Sequence, residues 1–162
     1  MKNVRTEFIY YNTETDPVTE FGIRGNYPMR TLSTHCSEMH EYLAALKKAV
    51  SRNSIIVVIG GYGADGEIAD VTGRAVGLQT VPFDYAALGF GHPKGAPERL
   101  PSGCLPMIDA SGEFVGILLE SMPQAIFLLS ENSSDRPYVA HELIAPYVFE
   151  FYNTVIKGEA DD

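Results

Sequence analysis

The sequence is short of cysteines, of basic residues and of long apolar runs, and each shortage excludes a class of protein. Its two cysteines, Cys36 and Cys104, fit neither a metal-site spacing nor a disulfide framework, so we expect reduced thiols in a cytoplasmic protein. Twelve Lys and Arg against 21 Asp and Glu give a net charge of −9, which makes nucleic acid an unexpected partner. No apolar run approaches the roughly 18 residues that span a bilayer, so we expect no membrane association.

The composition that remains is that of an ordinary globular protein. The chain has 162 residues, of which 45% are hydrophobic and 20% are charged. That length is enough to bury a core without disulfides or metals, and we expect one domain over residues 1–162.

Apolar periodicity predicts strands that alternate with helices. The predicted strands are 5–11, 54–59 and 113–119. The predicted helices are 38–51, one that starts at Asp70, 121–129, and 138–156 with an interruption at Pro146. Between them, 12–34 is predicted as a long loop with a short strand near 18–23, and 78–110 as irregular. This alternation favours a three-layer α/β/α domain with a mainly parallel sheet.

A glycine-rich loop follows the strand that ends at Ile59. Ligands of parallel sheets bind at the carboxyl ends of strands, and glycines there let a ligand approach backbone N–H groups. The helix that follows would favour a phosphate. The loop nevertheless lacks the glycine pattern of known nucleotide-binding loops and carries Asp65, Glu67 and Asp70, which would repel a phosphate unless Mg²⁺ bridged them. A tight turn that ends in an Asp70 helix cap explains the same residues.

Other candidate residues have simpler interpretations. Ser121 is placed to cap a helix or to contact a ligand. Cys104 lacks an identifiable base, which disfavours a nucleophilic role. The residues His35, Cys36, His40 and Glu41 lack a second cluster that would complete a metal site. Aromatic residues near the end of the chain exceed what one core face needs and predict a subunit interface; they are Tyr147, Phe149, Phe151 and Tyr152.

The glycine loop resembles a known signature. The stretch IIVVIGGYGADGEIADVTGRAVG is similar to the strand–GG-x-G–D-x-T–helix pattern of the molybdopterin-binding MoaB/Mog domain family, which includes the N-terminal domain of CinA-type proteins. The matching residues are Gly60, Gly61, Gly63, Asp70 and Thr72. Downstream, FVGILLESMPQAIFLLSE is similar to the second conserved strand and loop, with Leu119 and Pro123 in matching positions. The resemblance covers roughly residues 37–152 and leaves 1–34 divergent.

The resemblance implies a three-layer fold, a homo-oligomer (trimer or hexamer) and a small-molecule pocket for molybdopterin or for a nucleotide with Mg²⁺. Asp70 would be catalytic, and the ligand-binding residues would be Gly60, Gly61, Gly63, Asp65, Thr72 and Ser121. The sequence departs from the family in a longer Gly63-to-Asp70 spacing and in Glu120-Ser121 instead of Pro-Gly. We therefore hypothesise a divergent domain that binds a phosphate-bearing pterin or nucleotide, related to molybdenum cofactor biosynthesis. The alternative is a non-catalytic oligomeric or interaction module that has lost the pocket.

Overall fold

Six strands form a single mixed sheet in the order β2-β1-β3-β8-β7-β6. The computed structural model describes residues 5–24, 30–52, 55–60, 67–89, 91–121, 124–129, 136–151 and 153. The strands are β1 (Arg5–Tyr11), β2 (Arg30–Cys36), β3 (Ile55–Ile59), β4 (Thr80–Pro82), β5 (Arg99–Pro101), β6 (Leu105–Ile108), β7 (Phe114–Ser121) and β8 (Gln124–Leu129). The α-helices are α1 (Pro17–Arg24), α2 (Met39–Arg52), α3 (Glu67–Ala75), α4 (Arg136–Val139) and α5 (Ala145–Phe151).

The first four strands in the sheet order are parallel, whereas β7 and β6 are antiparallel to their neighbours. From β1 the chain moves outward to β2 and then returns to β3 on the opposite side of β1. Strand order thus reverses between β1 and β3, and in open α/β sheets such a switch point opens a crevice at the carboxyl ends of the strands. The short strands β4 and β5 form a separate antiparallel pair.

Two apolar cores, one on each face of the sheet, give the molecule its three layers. All five residues of β3 are buried, as expected for a strand covered on both sides. On one face, Phe8 and Tyr10 pack with α1 and with the last helix. On the other face, Ile9 packs with α2 and α3 through Tyr42 and Ile68. The predicted three-layer α/β fold with a mainly parallel sheet is confirmed.

The predicted loop over 12–34 is wrong, because it contains a helix and a strand. The helix α1 begins with Pro17, and the Asp16 carboxylate caps it by accepting hydrogen bonds from the Thr19 amide (3.2 Å) and the Thr19 hydroxyl (2.6 Å). Proline in the first turn and aspartate before it are favourable helix starts, and the prolines and glycines of this stretch obscured that signal.

The predicted helix over 121–129 is also wrong, because residues 124–129 form β8. This strand lies between β3, to which it is parallel, and β7, to which it is antiparallel. Five of its six residues are buried. A short apolar run that is buried on all sides has no periodicity to separate helix from strand, so the position in the sheet decides.

The last helix is continuous through Pro146, which was predicted to interrupt it. A π-helical turn at Ala140–Ile144 joins α4 to α5, and the Ala145 amide donates to the Ala140 carbonyl five residues earlier. Proline removes one helical donor and its ring crowds the preceding turn. The wider turn directly before Pro146 accommodates both effects. Within the described ranges, no helix is long and apolar enough to cross a membrane.

Candidate ligand-binding site

The glycine turn after β3 touches the end of β1. Gly60 has a φ of +111°, and a Cβ built on it would lie 2.1 Å from the Tyr11 carbonyl oxygen. Only glycine fits this backbone conformation and this approach. The contact brings the start of the predicted ligand loop to the segment that leaves β1. The other residues predicted in this loop, Gly61, Gly63 and Asp65, lie outside the described residues.

A polar cleft of about 480 Å³ opens directly after β1. It is lined by Asn12, Thr13, Glu14, Thr15, Asp16, Pro17 and Arg136. Its floor is the segment between β1 and α1, and Arg136 reaches it from the start of the last helix. The cleft therefore lies at the carboxyl end of β1, on the edge of the sheet where parallel α/β proteins bind ligands.

Backbone and side-chain hydrogen bonds hold this segment in place. The Asn12 amide donates to the Cys36 carbonyl (2.9 Å), and Asn12 has a φ of 52°. The Asp16 amide donates to the Tyr10 hydroxyl (3.1 Å). Thr15 Oγ1 is 2.7 Å from His35 Nε2, and the His35 ring stacks on Tyr10 at 4.9 Å. A segment anchored at three points presents a preorganised surface, which lowers the entropy cost of binding.

Arg136 and Asp16 face each other across the cleft. Their closest nitrogen and oxygen atoms are 3.6 Å apart, and their side chains are 21% and 25% exposed. Neither residue was among the predicted site residues. An aspartate directly before a proline, after the first strand, could have indicated that Asp16 starts a helix. Nothing in the sequence indicates the contact with Arg136, because the two residues are far apart along the chain.

Asp70, predicted to be catalytic, connects α3 to β4. Its carboxylate accepts hydrogen bonds from Thr80 Oγ1 and Arg74 Nη2, both at 2.6 Å. The Thr80 hydroxyl and then the Arg74 guanidinium hold the pKa of Asp70 below its usual value. Because α3 begins at Glu67, Asp70 is not the helix cap that the sequence also allowed. The structure thus gives this carboxylate a structural ion pair.

Thr72, predicted to contact the ligand, is fully buried. Its hydroxyl donates to the Ile68 carbonyl (2.6 Å) and lies 2.5 Å from the Tyr42 hydroxyl, which must then be the donor of that second bond. A ligand cannot reach a side chain with no exposed surface. The prediction that Thr72 contacts a ligand is therefore wrong, and its role is to join α3 to α2.

Ser121 and Gly60 lie at opposite ends of the strands in the sheet. It ends β7 and is paired with Gln124 at the start of β8, whereas the carboxyl end of β8 is level with the end of β3. At about 3.3 Å per residue, the intervening length of β8 separates the two positions by roughly 20 Å. The prediction that Ser121 shares the pocket of the glycine loop is wrong. The strand 124–129 runs from the end of the sheet where Ser121 lies to the opposite end, where β3 leads into the glycine loop.

The described residues contain no group of three His, Cys, Asp or Glu side chains that could hold a metal ion. Asp16 is bound by Thr19, and Asp70 is bound by Thr80 and Arg74. A ligand in the cleft after β1 would meet hydroxyl, amide and guanidinium groups together with the Glu14 carboxylate.

Neither cysteine is placed for nucleophilic chemistry. Cys104 and Cys36 are both buried, and burial raises the pKa of Cys104 to about 12 and that of Cys36 to about 11. The thiolate is the reactive form of cysteine, and it is scarce at neutral pH under these conditions. The nucleophilic role that the sequence already disfavoured for Cys104 therefore has no support in the geometry.

No protein-family model and no curated protein matches the sequence. Among solved structures, the chain is similar to the crystal structure of the protein CinA, of unknown function, from Thermoplasma acidophilum. The TM-score is 0.58 at 15% sequence identity, and the match covers 97% of this chain and 98% of that chain. The chain has a CinA-like α/β fold. At this identity the likeness concerns the fold alone.

Proposed function

We propose that this chain is a divergent MoaB/Mog-like domain that binds a small phosphate-bearing ligand, a pterin or a nucleotide, at the switch point between β1 and β3. The observation that carries the proposal is the polar cleft at the carboxyl end of β1, which begins one residue after Tyr11, the residue that the turn at Gly60 approaches. Ligand sites of open α/β sheets lie at this position. The sequence resemblance supports a pterin or nucleotide and a role related to molybdenum cofactor biosynthesis.

The proposed contacts are the backbone of Gly60, Gly61 and Gly63, the Asp65 side chain and the cleft after β1. Both oxygens of Asp70 already accept a hydrogen bond, one from Thr80 and one from Arg74, so this carboxylate is engaged in the contact between α3 and β4. Binding is therefore the function that the geometry favours over catalysis.

A thermal-shift titration tests the proposal. The probes are AMP, GMP and neopterin monophosphate, each with and without Mg²⁺, and their unphosphorylated counterparts are controls. A ligand at 100 times its Kd adds about 2.7 kcal/mol, and for a chain of this size each kcal/mol raises Tm by roughly 2–4 °C. We expect a shift of roughly 5–11 °C with a phosphorylated probe and a smaller one with its counterpart. Equal melting temperatures with and without every probe would refute ligand binding.

The second candidate function is a non-catalytic oligomeric or interaction module, and exposed apolar residues favour it. Val18 and Phe21, one turn apart on α1, are 62% and 59% exposed, and Phe149 on α5 is 53% exposed. Large exposed apolar patches mark contact surfaces. Of the aromatic residues predicted at an interface, Tyr147 packs edge-to-face on Phe127 instead. The described residues include neither Tyr152 nor the Phe151 side chain.

Light scattering after size exclusion separates the two functions. If α1 forms the interface of a trimer or hexamer, Phe21→Ser should lower the molar mass. Leu43→Ser is the matched control, since Leu43 is 41% exposed on α2 in the opposite helix layer. A monomeric wild-type protein, or identical masses for both variants, would contradict the α1 interface.

A further inference from the structure

Arg136 is largely buried, yet it has little to bind in the described part of the chain. Its side chain is 21% exposed, and its one polar contact there is the 3.6 Å approach to Asp16. That distance is beyond a hydrogen bond. A guanidinium carries five N–H donors in a planar fork that suits phosphate and carboxylate oxygens. The cleft thus contains a partly desolvated cation whose donors have room for an anionic ligand.

The Asp16 carboxylate already accepts two hydrogen bonds from Thr19. One carboxylate oxygen accepts from the Thr19 amide and the other from the Thr19 hydroxyl, and together these bonds cap α1. With these two bonds in place, the Asp16 carboxylate lies 3.6 Å from Arg136, so the guanidinium donors are not saturated by it. A ligand can therefore engage Arg136 while Asp16 keeps both hydrogen bonds to Thr19.

The remaining cleft residues provide groups that can bind phosphate oxygens. Thr13 and Thr15 contribute hydroxyls, and Asn12 contributes a side-chain amide. Thr15 is held by His35, so its position is defined before a ligand arrives. Hydroxyl and amide donors beside an arginine are common phosphate contacts.

We propose that Arg136 binds the phosphate group of the ligand within the cleft formed by residues 12–17. The inference rests on the proposed function. It assigns the phosphate contact to the segment after β1 and not to the glycine turn. Arg136 replaces its long contact to Asp16 with hydrogen bonds to phosphate oxygens, and Thr13 provides a further donor.

Glu14 makes the cleft selective for a ligand of low charge. It lines the same cleft, and Asp16 adds a second carboxylate nearby. One arginine offsets one of these charges, so each additional phosphate would be repelled by the other. The site therefore prefers a monophosphate to a triphosphate.

An NMR titration tests this assignment. Inorganic phosphate, AMP and ATP are added to ¹⁵N-labelled protein, and amide and arginine Nε signals are followed. We expect the signals of Arg136 and of residues 12–16 to shift, with AMP binding at least tenfold more tightly than ATP. Arg136→Gln should weaken AMP binding about tenfold or more, and Arg136→Lys should weaken it less because it keeps the charge.

Two further variants complete the experiment. Arg74→Gln is the matched control, because it also removes an arginine from an Asp–Arg pair but lies on α3; it should bind AMP like the wild type. Glu14→Gln should reduce the preference for AMP over ATP. The dispersion of the amide spectrum checks the fold of each variant.

The outcomes separate this inference from the proposed function. If AMP binds but Arg136→Gln and Arg136→Lys retain wild-type affinity, the assignment of Arg136 is wrong and the ligand site stands. A perturbation confined to signals outside residues 12–16 and Arg136 leads to the same conclusion. If no phosphate-bearing probe shifts any signal of the wild-type protein, both are wrong.

Discussion

Replacement of Gly60 by alanine is the sharpest test of the site geometry. The new methyl group would meet the Tyr11 carbonyl oxygen at 2.1 Å, and the φ of +111° is unfavourable for any L side chain. Backbone strain of this kind costs about 1–3 kcal/mol. The clash adds to it, because β1 and β3 must separate where the Tyr10–Ile59 pair ends their ladder. Lost packing and hydrogen bonds there cost about 1–3 kcal/mol more.

Gly77→Ala is the matched control. Gly77 also has a positive φ, +84°, but nothing lies within 4 Å of the Cβ that would be added. Its substitution should cost only the strain, about 1–2 kcal/mol. Gly60→Ala should therefore lower the free energy of unfolding by about 2–6 kcal/mol, or Tm by roughly 4–24 °C at 2–4 °C per kcal/mol, and it should be about 1–3 kcal/mol less stable than Gly77→Ala.

Urea denaturation followed by circular dichroism measures both variants against the wild type. The reasoning requires Gly60→Ala to be clearly less stable than Gly77→Ala. A difference below about 1 kcal/mol, which is within the extrapolation error for two variants, would show that the close approach of the β3 turn to Tyr11 does not exist in solution.

Three further predictions concern residues whose roles the structure changed. Asp70→Asn should lower stability by about 1 kcal/mol at pH 7. Folding lowers the pKa of Asp70, so its stabilisation is present above the usual aspartate pKa and is lost as pH falls through the pKa of the folded state. A stability difference between the wild type and Asp70→Asn that does not change with pH in urea denaturation would contradict the ion pair. Thr72→Val should cost about 1–3 kcal/mol by leaving the buried Tyr42 hydroxyl without its acceptor, whereas Thr72→Ser should cost less; equal melting temperatures for the two would argue against the hydrogen bond. Cys36 and Cys104 should react with iodoacetamide at pH 8 at least about 100-fold more slowly than a free thiol until the protein unfolds, with Cys104 the slower of the two; fast labelling of the native protein, detected by mass spectrometry, would show that the thiols are accessible.

Local patterns were sufficient where one element dictates its own conformation. The β-branched run of β3 and the apolar spacing of α2 predict their elements to within one residue. The same approach failed for 124–129, because a run buried on every side has no polar face to reveal its period. It also failed for α1, whose short helix begins at an aspartate cap within a stretch rich in breakers.

The candidate site divides in the same way. Glycine at position 60 is a local signal, since the turn itself requires a residue without a Cβ. Asp70 and Thr72 each have one local partner on α3 and one that is not local, because Thr80 and Tyr42 approach them only when α3 packs on β4 and α2. From the sequence alone, a carboxylate or hydroxyl in a motif is therefore interpreted as a ligand contact, although a neighbour in the folded protein already binds it.

By itself, the sequence determined the buried strand β3, the amphipathic helix α2 and the glycine turn after β3, since each follows from periodicity and backbone stereochemistry within a few residues. Only the tertiary structure decided where the open cleft lies. The strand order brings Asp16 and Arg136 together although they are 120 residues apart in the chain. It also places Ser121 at the end of the sheet opposite to the glycine turn. The physical reason is that long-range pairing depends on how whole faces are buried, which no local pattern encodes.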